Sequence, residues 1–323
     1  MQLKVLHHGN CFDGCASAAL FGRFFVEREG ARLGAVAYEP VHHQQGDPFA
    51  GHAFDADVNA CVDFRFSPSP ALHWWFDHHA SAFATPADRA AFERDASGRK
   101  FWDPTAPSCT GFITRTLAER FSWSAPDLAE LVGWADVIDA ARFPSAATAV
   151  RLEEPALRIM TLLEATTDPG LQTRIIEAMQ HRPLAEIAAE PWVAGPLAPI
   201  LERHRGNVEA VRRAARENGG VVSVDLADTG VEGANKFIAY DLFPRAAYTV
   251  VVTNDPKRTK VSVGSNPWAR PPRAHDISKL CERYGGGGHA VVGAVSLPPG
   301  RVPDARRIAA EIAAALRAEP APP

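Results

Sequence analysis

The feature that most limits what this chain can become is an apolar run that stops abruptly. Trp74-Trp75-Phe76 is followed at once by Asp77-His78-His79-Ala80-Ser81. A short, unalternating apolar run reads as a buried strand. The acid and two imidazoles then stand at its carboxyl end, where open α/β sheets place their crevices. The pattern recurs along the first part of the chain. Leu3–Leu6 reads as a first strand that ends at His7-His8-Gly9-Asn10-Cys11-Phe12-Asp13-Gly14 and leads into a helix through Ala16–Leu20. Strand, polar glycine-bearing turn and helix make the opening of a βαβ unit. Arg32–Tyr38 reads as a second strand, Ala60–Phe64 as a third carrying Asp63 at its end, and Leu72–Phe76 as a fourth. The expected fold class is α/β with a parallel sheet, and its strand ends deliver carboxylates and imidazoles to one crevice.

With 323 residues the chain is long enough for about two domains. Residues 1–150 form the expected metal-binding, catalytic domain. Residues 151–218 read as a helical connector, with proline breaks near Pro169, Pro183, Pro191, Pro196 and Pro199. Residues 219–323 read as a smaller α/β domain with a mixed sheet. Its expected strands are Val221–Asp225, Tyr248–Val252, Lys260–Val263 and Val291–Leu297, and its helices His275–Tyr284 and Ala305–Arg317, before a frayed Pro-rich tail after Glu319. The active site is expected in the cleft between the two domains. No internal repeat is evident.

Composition narrows the functional classes. A net charge of −4 advertises no basic field for long nucleic acid. The five cysteines, Cys11, Cys15, Cys61, Cys109 and Cys281, include no Cys-x-x-Cys pair, and their odd number and scatter suit a reducing cytoplasm. No signal peptide is recognisable, and no apolar run approaches the roughly 18 residues of a membrane helix. A cytoplasmic protein without membrane partners is expected; oligomeric state, a homodimer included, is left open.

Asp136 and Asp139, in a helix expected from about Asp127, are three apart and share a face. With His8, Asp13, Asp63, Asp77, His78 and His79, Asp136 completes a set of imidazoles and carboxylates without paired thiolates. Such a set suits Mn²⁺, and less specifically Mg²⁺ or Zn²⁺. So many acids in one crevice would repel one another unless cations lay between them. Two ions would also clamp a phosphoryl oxygen and acidify a water.

These motifs, in this order, resemble the DHH phosphoesterase superfamily: His8-Gly9-Asn10-Cys11-Phe12-Asp13-Gly14, then Asp63, then Asp77-His78-His79, then Ala135-Asp136-Val137. Gly285-Gly286-Gly287-Gly288-His289 resembles the glycine-rich signature of the DHH-associated C-terminal domain, which accompanies RecJ-type exonucleases and nanoRNases. The resemblance implies a two-metal phosphodiesterase acting on short oligonucleotides or dinucleotides. The alternatives are a phosphomonoesterase for 3′-phosphoadenosine 5′-phosphate or a cyclic dinucleotide phosphodiesterase, then polyphosphate or pyrophosphate hydrolysis and a non-catalytic nucleotide binder. It further implies His8, Asp13, Asp63, His78 and Asp136 as metal ligands, with Asp63 bridging and catalytic. Asp77 is a further ligand or the acid that orients an imidazole. His79 is the catalytic histidine near the substrate phosphate. Gly286, Gly287, Gly288 and His289 form the loop that grips substrate, with Ser265 and Lys260 as further contacts. The partner implied is a short nucleotide or oligoribonucleotide, not a long duplex.

Two departures from the family pattern matter. Cys11 stands where a first aspartate is expected, and is a ligand, a neighbour of ligands or a bystander. Gly264 stands about where nanoRNases carry an arginine, so that Arg245, Lys257, Arg258, Lys260, Arg270 and Arg273 are candidates to replace that charge. Between His7 and His8 only one can face the site from a strand, and His8 is favoured. His42-His43 is expected at the surface, Trp74 and Trp75 in the core, and Asp139 as a solvated or capping acid. Ser81 and Ser265 lack a histidine–acid relay, which argues against a serine nucleophile.

Overall fold

The computed structural model describes residues 1–44, 46–231, 233–270 and 274–318. Arg273 and the tail after Glu319 lie outside these described residues. The chain divides into two compact units, residues 1–143 with 152–200 and residues 144–151 with 201–323.

The first unit begins β1 (Gln2–His8), α1 (Phe12–Glu29), β2 (Ala35–Val41), β3 (Val58–Val62) and β4 (Trp74–Asp77). It continues α2 (Pro86–Glu93), β5 (Lys100–Trp102), α3 (Cys109–Phe121) and α4 (Ala129–Asp139). After α5 (Ala146–Arg151), which belongs to the second unit, α6 (Pro155–Ala165), α7 (Pro169–Met179) and α8 (Leu184–Ala189) return to the first. The division falls within α9 (Pro191–Ala214). Much of the stretch read as a connector is therefore part of the first compact unit. Pro169 and Pro191 open helices and Pro183 caps one, positions where the missing N–H costs nothing. Pro196 and Pro199 lie inside α9 rather than breaking it.

The sheet of the first unit is parallel throughout, in the order β2-β1-β3-β4-β5. The chain leaves β1 for β2 on one side and then adds β3 on the other. That reversal opens a crevice at the carboxyl ends of β1 and β3, where His8 and Asp63 stand. The second strand lies three residues later than expected at each end, and β5 was not anticipated. All four residues of β4 are buried. Trp74 packs against Phe21, Phe24 and Phe121, and Trp75 against Phe66, Phe83 and Phe92. The Trp75 indole N–H donates to the Phe64 carbonyl at 2.8 Å, so burial leaves it no orphan donor. Each fully buried phenylalanine in such a layer contributes about 1.5–3 kcal/mol relative to an exposed one. A core of this kind can hold costly polar groups at its edge.

The second unit contains β6 (Ala215–Asn218), β7 (Val221–Asp225), α10 (Ile238–Leu242), β8 (Tyr248–Asn254) and β9 (Thr259–Ser265). They are followed by α11 (Ile277–Glu282), β10 (Gly287–His289), β11 (Val292–Leu297) and α12 (Val302–Arg317). Its mixed sheet runs β10-β11-β9-β8-β7-β6, parallel only between β7 and β8. Val261, Val263, Ile308 and Ile312 share one core, while Val222, Val224, Val211 and Ile238 share another. No helix among the described residues is long and apolar enough to cross a membrane.

Candidate metal centre

His8 ends β1, and its Nδ1 lies 3.5 Å from Asp63 Oδ2. His7, its neighbour, is fully buried on the other side of the strand. Asp13 lies in the first turn of α1, which starts against β1 so closely that a Cβ on Gly14 would meet the His8 carbonyl at 2.2 Å. Only glycine allows that approach. Asp13 is fully buried and accepts three hydrogen bonds at the start of α3: Cys109 N–H at 2.7 Å, Thr110 N–H at 3.0 Å and Thr110 Oγ1 at 2.6 Å. Asp63 follows β3 with a φ of 56°, a conformation that aspartate tolerates better than most residues. It is fully buried, and neither carboxylate oxygen has a hydrogen-bond partner among the described residues.

Beyond β4, the His78 ring N–H at Nδ1 donates to the Ala106 carbonyl at 3.0 Å, which turns Nε2 toward the acids. His78 Nε2 lies 3.4 Å from Asp63 Oδ1, 3.7 Å from Asp13 Oδ2 and 3.3 Å from Asp139 Oδ2, again without a hydrogen bond. Three sets of possible ligand atoms each gather within 4.8 Å: His8, Cys11 and Asp63; Asp63, His78 and His79; and Asp13, His78 and Asp139.

The charges of this cluster are strongly coupled. Burial alone would raise the Asp63 carboxyl, but His78 and His8 outweigh it and hold the acid below the usual carboxylate range. Burial pulls the His78 imidazole down, yet Asp63 and the Ala106 carbonyl prevail, and it is pushed up to about 10. Asp13 and Asp139 are both raised, by burial first and then by the Asp63 charge. Without cations, protons compensate for the crowded acids. A buried carboxylate with two unpartnered oxygens, faced by imidazole nitrogens on both sides, fits divalent cations.

No family model matches the sequence, and no curated protein sequence does. Solved structures do match. The pGpG-specific phosphodiesterase PggH from Vibrio cholerae superposes with a TM-score of 0.71 at 18% identity, over 99% of this chain and 100% of its own. The DHH domain of a member of the s1p family of ribosomal proteins gives 0.54 at 13% identity, over 99% of this chain and 87% of its own. The fold is that of the DHH-domain proteins.

Within this DHH fold, two of the acids take places other than those expected. Asp136 is in none of the three ligand sets among the described residues, and its Oδ1 accepts from the Ser108 hydroxyl at 2.5 Å. The carboxylate that α4 delivers is Asp139, at the carboxyl end of the helix, which had been read as a solvated or capping acid. Asp77 stands outside all three ligand sets. Its Oδ1 accepts from the backbone N–H of His78 at 2.8 Å and of His79 at 3.2 Å, and from His79 Nδ1 at 2.7 Å. Asp77 is thus placed to orient His79. That contact, more than the opposing effect of burial, raises the His79 pKa. His43 is exposed, as expected, and its ring stacks on Phe64 with centroids 4.8 Å apart and lies 5.0 Å from His8 and 6.5 Å from His79. Its place in a polar loop gave no signal of this.

The second unit's candidates differ from the loop expected. Gly287, Gly288 and His289 form β10, paired with Ala294, Gly293 and Val292 of β11, with Gly286 just before it. Gly288 and His289 are exposed. The Ser265 hydroxyl donates its proton to the Val291 carbonyl at 3.0 Å, leaving only lone pairs for a ligand. Lys260 is half-buried in β9, and its pKa is lowered by burial and then by Arg258. A Cβ on Gly264 would meet the Tyr240 hydroxyl at 2.7 Å, so this position has no room for an arginine unless Tyr240 moves.

Proposed function

We propose that the chain is a metal-dependent phosphodiesterase acting on short nucleotides, with dinucleotides or oligoribonucleotides a few residues long as substrates. The observation that carries this reading is the buried Asp63 carboxylate, without a hydrogen bond among the described residues, between His8 on one side and His78 on the other. Asp63 would be shared by two divalent ions, with His8 on one and Asp13, His78 and Asp139 on the other; manganese suits this mixture of imidazole and carboxylate. When bound, such ions supply Lewis-acid charge for phosphoryl oxygens and an acidified water.

The remaining roles belong to the chain. Ala106 fixes the His78 ring so that Nε2 faces the acids. Asp77 holds His79 through Nδ1, leaving Nε2 to donate to a phosphoryl or leaving oxygen. Contact with Asp77 favours the charged imidazole that such a donor needs. In the second unit, the Gly286 N–H is already given to the Cys281 carbonyl at 3.0 Å, and Gly287, Gly288, His289, Lys260 and Ser265 are the nucleotide contacts of this reading. The pGpG specificity of the Vibrio protein makes a linear dinucleotide the first substrate to try.

The test is a set of initial rates with Mn²⁺ on pGpG, pApA, longer RNA oligomers, cyclic dinucleotides, 3′-phosphoadenosine 5′-phosphate and polyphosphate. The linear dinucleotides should be cleaved fastest. A faster monoester would replace the reading with a phosphomonoesterase. No turnover of any of them with any divalent ion would leave a nucleotide-binding protein.

A further inference from the structure

Of the five cysteines, four are buried, and Cys11 alone is not. It is the N-cap residue of α1, with extended backbone, and it follows directly on a turn that is firmly anchored. Asn10 there has a φ of 56°, and its side-chain amide donates to the Leu163 carbonyl at 2.8 Å and also to the Thr166 carbonyl. The thiol sulfur, a His8 ring nitrogen and an Asp63 oxygen gather within 4.8 Å of one another. A cysteine near a histidine would mean little alone. Here the third member is a fully buried carboxylate whose two oxygens accept no hydrogen bond among the described residues. That acid calls for a cation on the side where the sulfur stands.

We propose that Cys11 is a metal ligand, so that the two ion positions differ in kind. This inference rests on the metal-binding reading above. The position of His8, Cys11 and Asp63 offers nitrogen, sulfur and oxygen. The position of Asp13, His78, Asp139 and the shared Asp63 offers nitrogen and oxygen only. A thiolate favours borderline and soft ions such as Zn²⁺, Co²⁺ or Cd²⁺ over Mg²⁺, whereas carboxylates favour hard ones. On binding, the Cys11 thiol releases its proton to solvent and the sulfur lone pair forms the bond to the cation. The first position therefore selects a thiophilic ion and the second accepts manganese or magnesium, giving a centre that holds two different metals.

Cobalt reports the bond directly. The metal-stripped chain, kept reduced and titrated with Co²⁺, should develop a near-ultraviolet sulfur-to-cobalt charge-transfer absorption that saturates at about one thiolate contact per chain. Cys11→Ser should lose this absorption and still bind Co²⁺ at the other position, as counted by calorimetry. Cys11→Asp supplies a hard ligand in the same place, and its preference for Zn²⁺ over Mg²⁺ should fall by about tenfold or more. Two results overturn the proposal while leaving the metal centre standing: Co²⁺ bound to the unaltered chain without the absorption, or the absorption persisting in Cys11→Ser. Failure of the unaltered chain to bind any divalent ion would overturn the metal centre and this inference together.

Discussion

The two units solve opposite problems. At the strand ends of the parallel sheet, polar groups are buried without a hydrogen bond among the described residues: both oxygens of Asp63, one of Asp77 and Nε2 of His78. In the mixed sheet, the candidate groups are paired or open to solvent. Ser265 donates to Val291, the glycines are paired in β10, and His289 is exposed. Burying ionic groups that lack hydrogen bonds costs several kcal/mol even when they are ion-paired, which the packed layers around β4 offset. On the proposed reading the first unit is organised in advance for ions and chemistry, whereas the second offers contacts that cost the fold little. Substitutions in the first should act on rate and metal affinity, and those in the second on substrate affinity alone.

The largest effect belongs to Asp63. Asp63→Asn should lower dinucleotide hydrolysis by about 10³-fold or more, roughly 4 kcal/mol of lost transition-state stabilisation. It should also lose the Mn²⁺-dependent rise in Tm, which at an ion concentration of about 100 Kd amounts to about 2.7 kcal/mol for the unaltered protein. Full activity in Asp63→Asn would break the contrast between the units. Next come the two acids of α4. Asp139→Asn should weaken Mn²⁺ binding by about 100-fold, and Asp136→Asn by about tenfold or less, through the lost contact with Ser108. Calorimetry that ranked them the other way would return Asp136 to the ligand set. Asp77→Asn should lower kcat by about 10–100-fold through a misplaced His79, with Mn²⁺ affinity nearly unchanged. A parallel loss of metal would make Asp77 a ligand instead. The smallest effect is expected in the second unit, where His289→Ala should raise KM by about tenfold and leave metal affinity alone. A fall in kcat with KM constant would contradict that division of labour.

Much of this could be read from the sequence because the physics is local. Apolar runs that stop at His8, Asp63 and Asp77 mark strand ends whatever else the chain does, and parallel sheets place such ends together. Other features are decided by contacts that spacing does not encode. Asp136 and Asp139 share a helix face, yet Asp136 meets Ser108, just before α3, and Asp139 meets His78. Asp77 can meet a cation or an imidazole: its Oδ1 is hydrogen-bonded to His79, and its Oδ2 is buried without a hydrogen bond among the described residues. His43 sits in a loop without periodicity, yet it stacks on Phe64 beside His8. Strand β5 is three residues long and no more than half-buried, too short for any alternation to register. A glycine run carries no side-chain pattern at all, so nothing distinguished the strand β10 from a loop.

The account depends on cations belonging at the Asp63 carboxylate, and crystals of the protein soaked in Mn²⁺ test it most directly. Anomalous difference density should show a manganese peak beside His78 and a second cation peak, manganese or a thiophilic ion, beside His8, both within coordinating distance of Asp63. Density elsewhere in the molecule, or none at these side chains with the ion saturating, would contradict it.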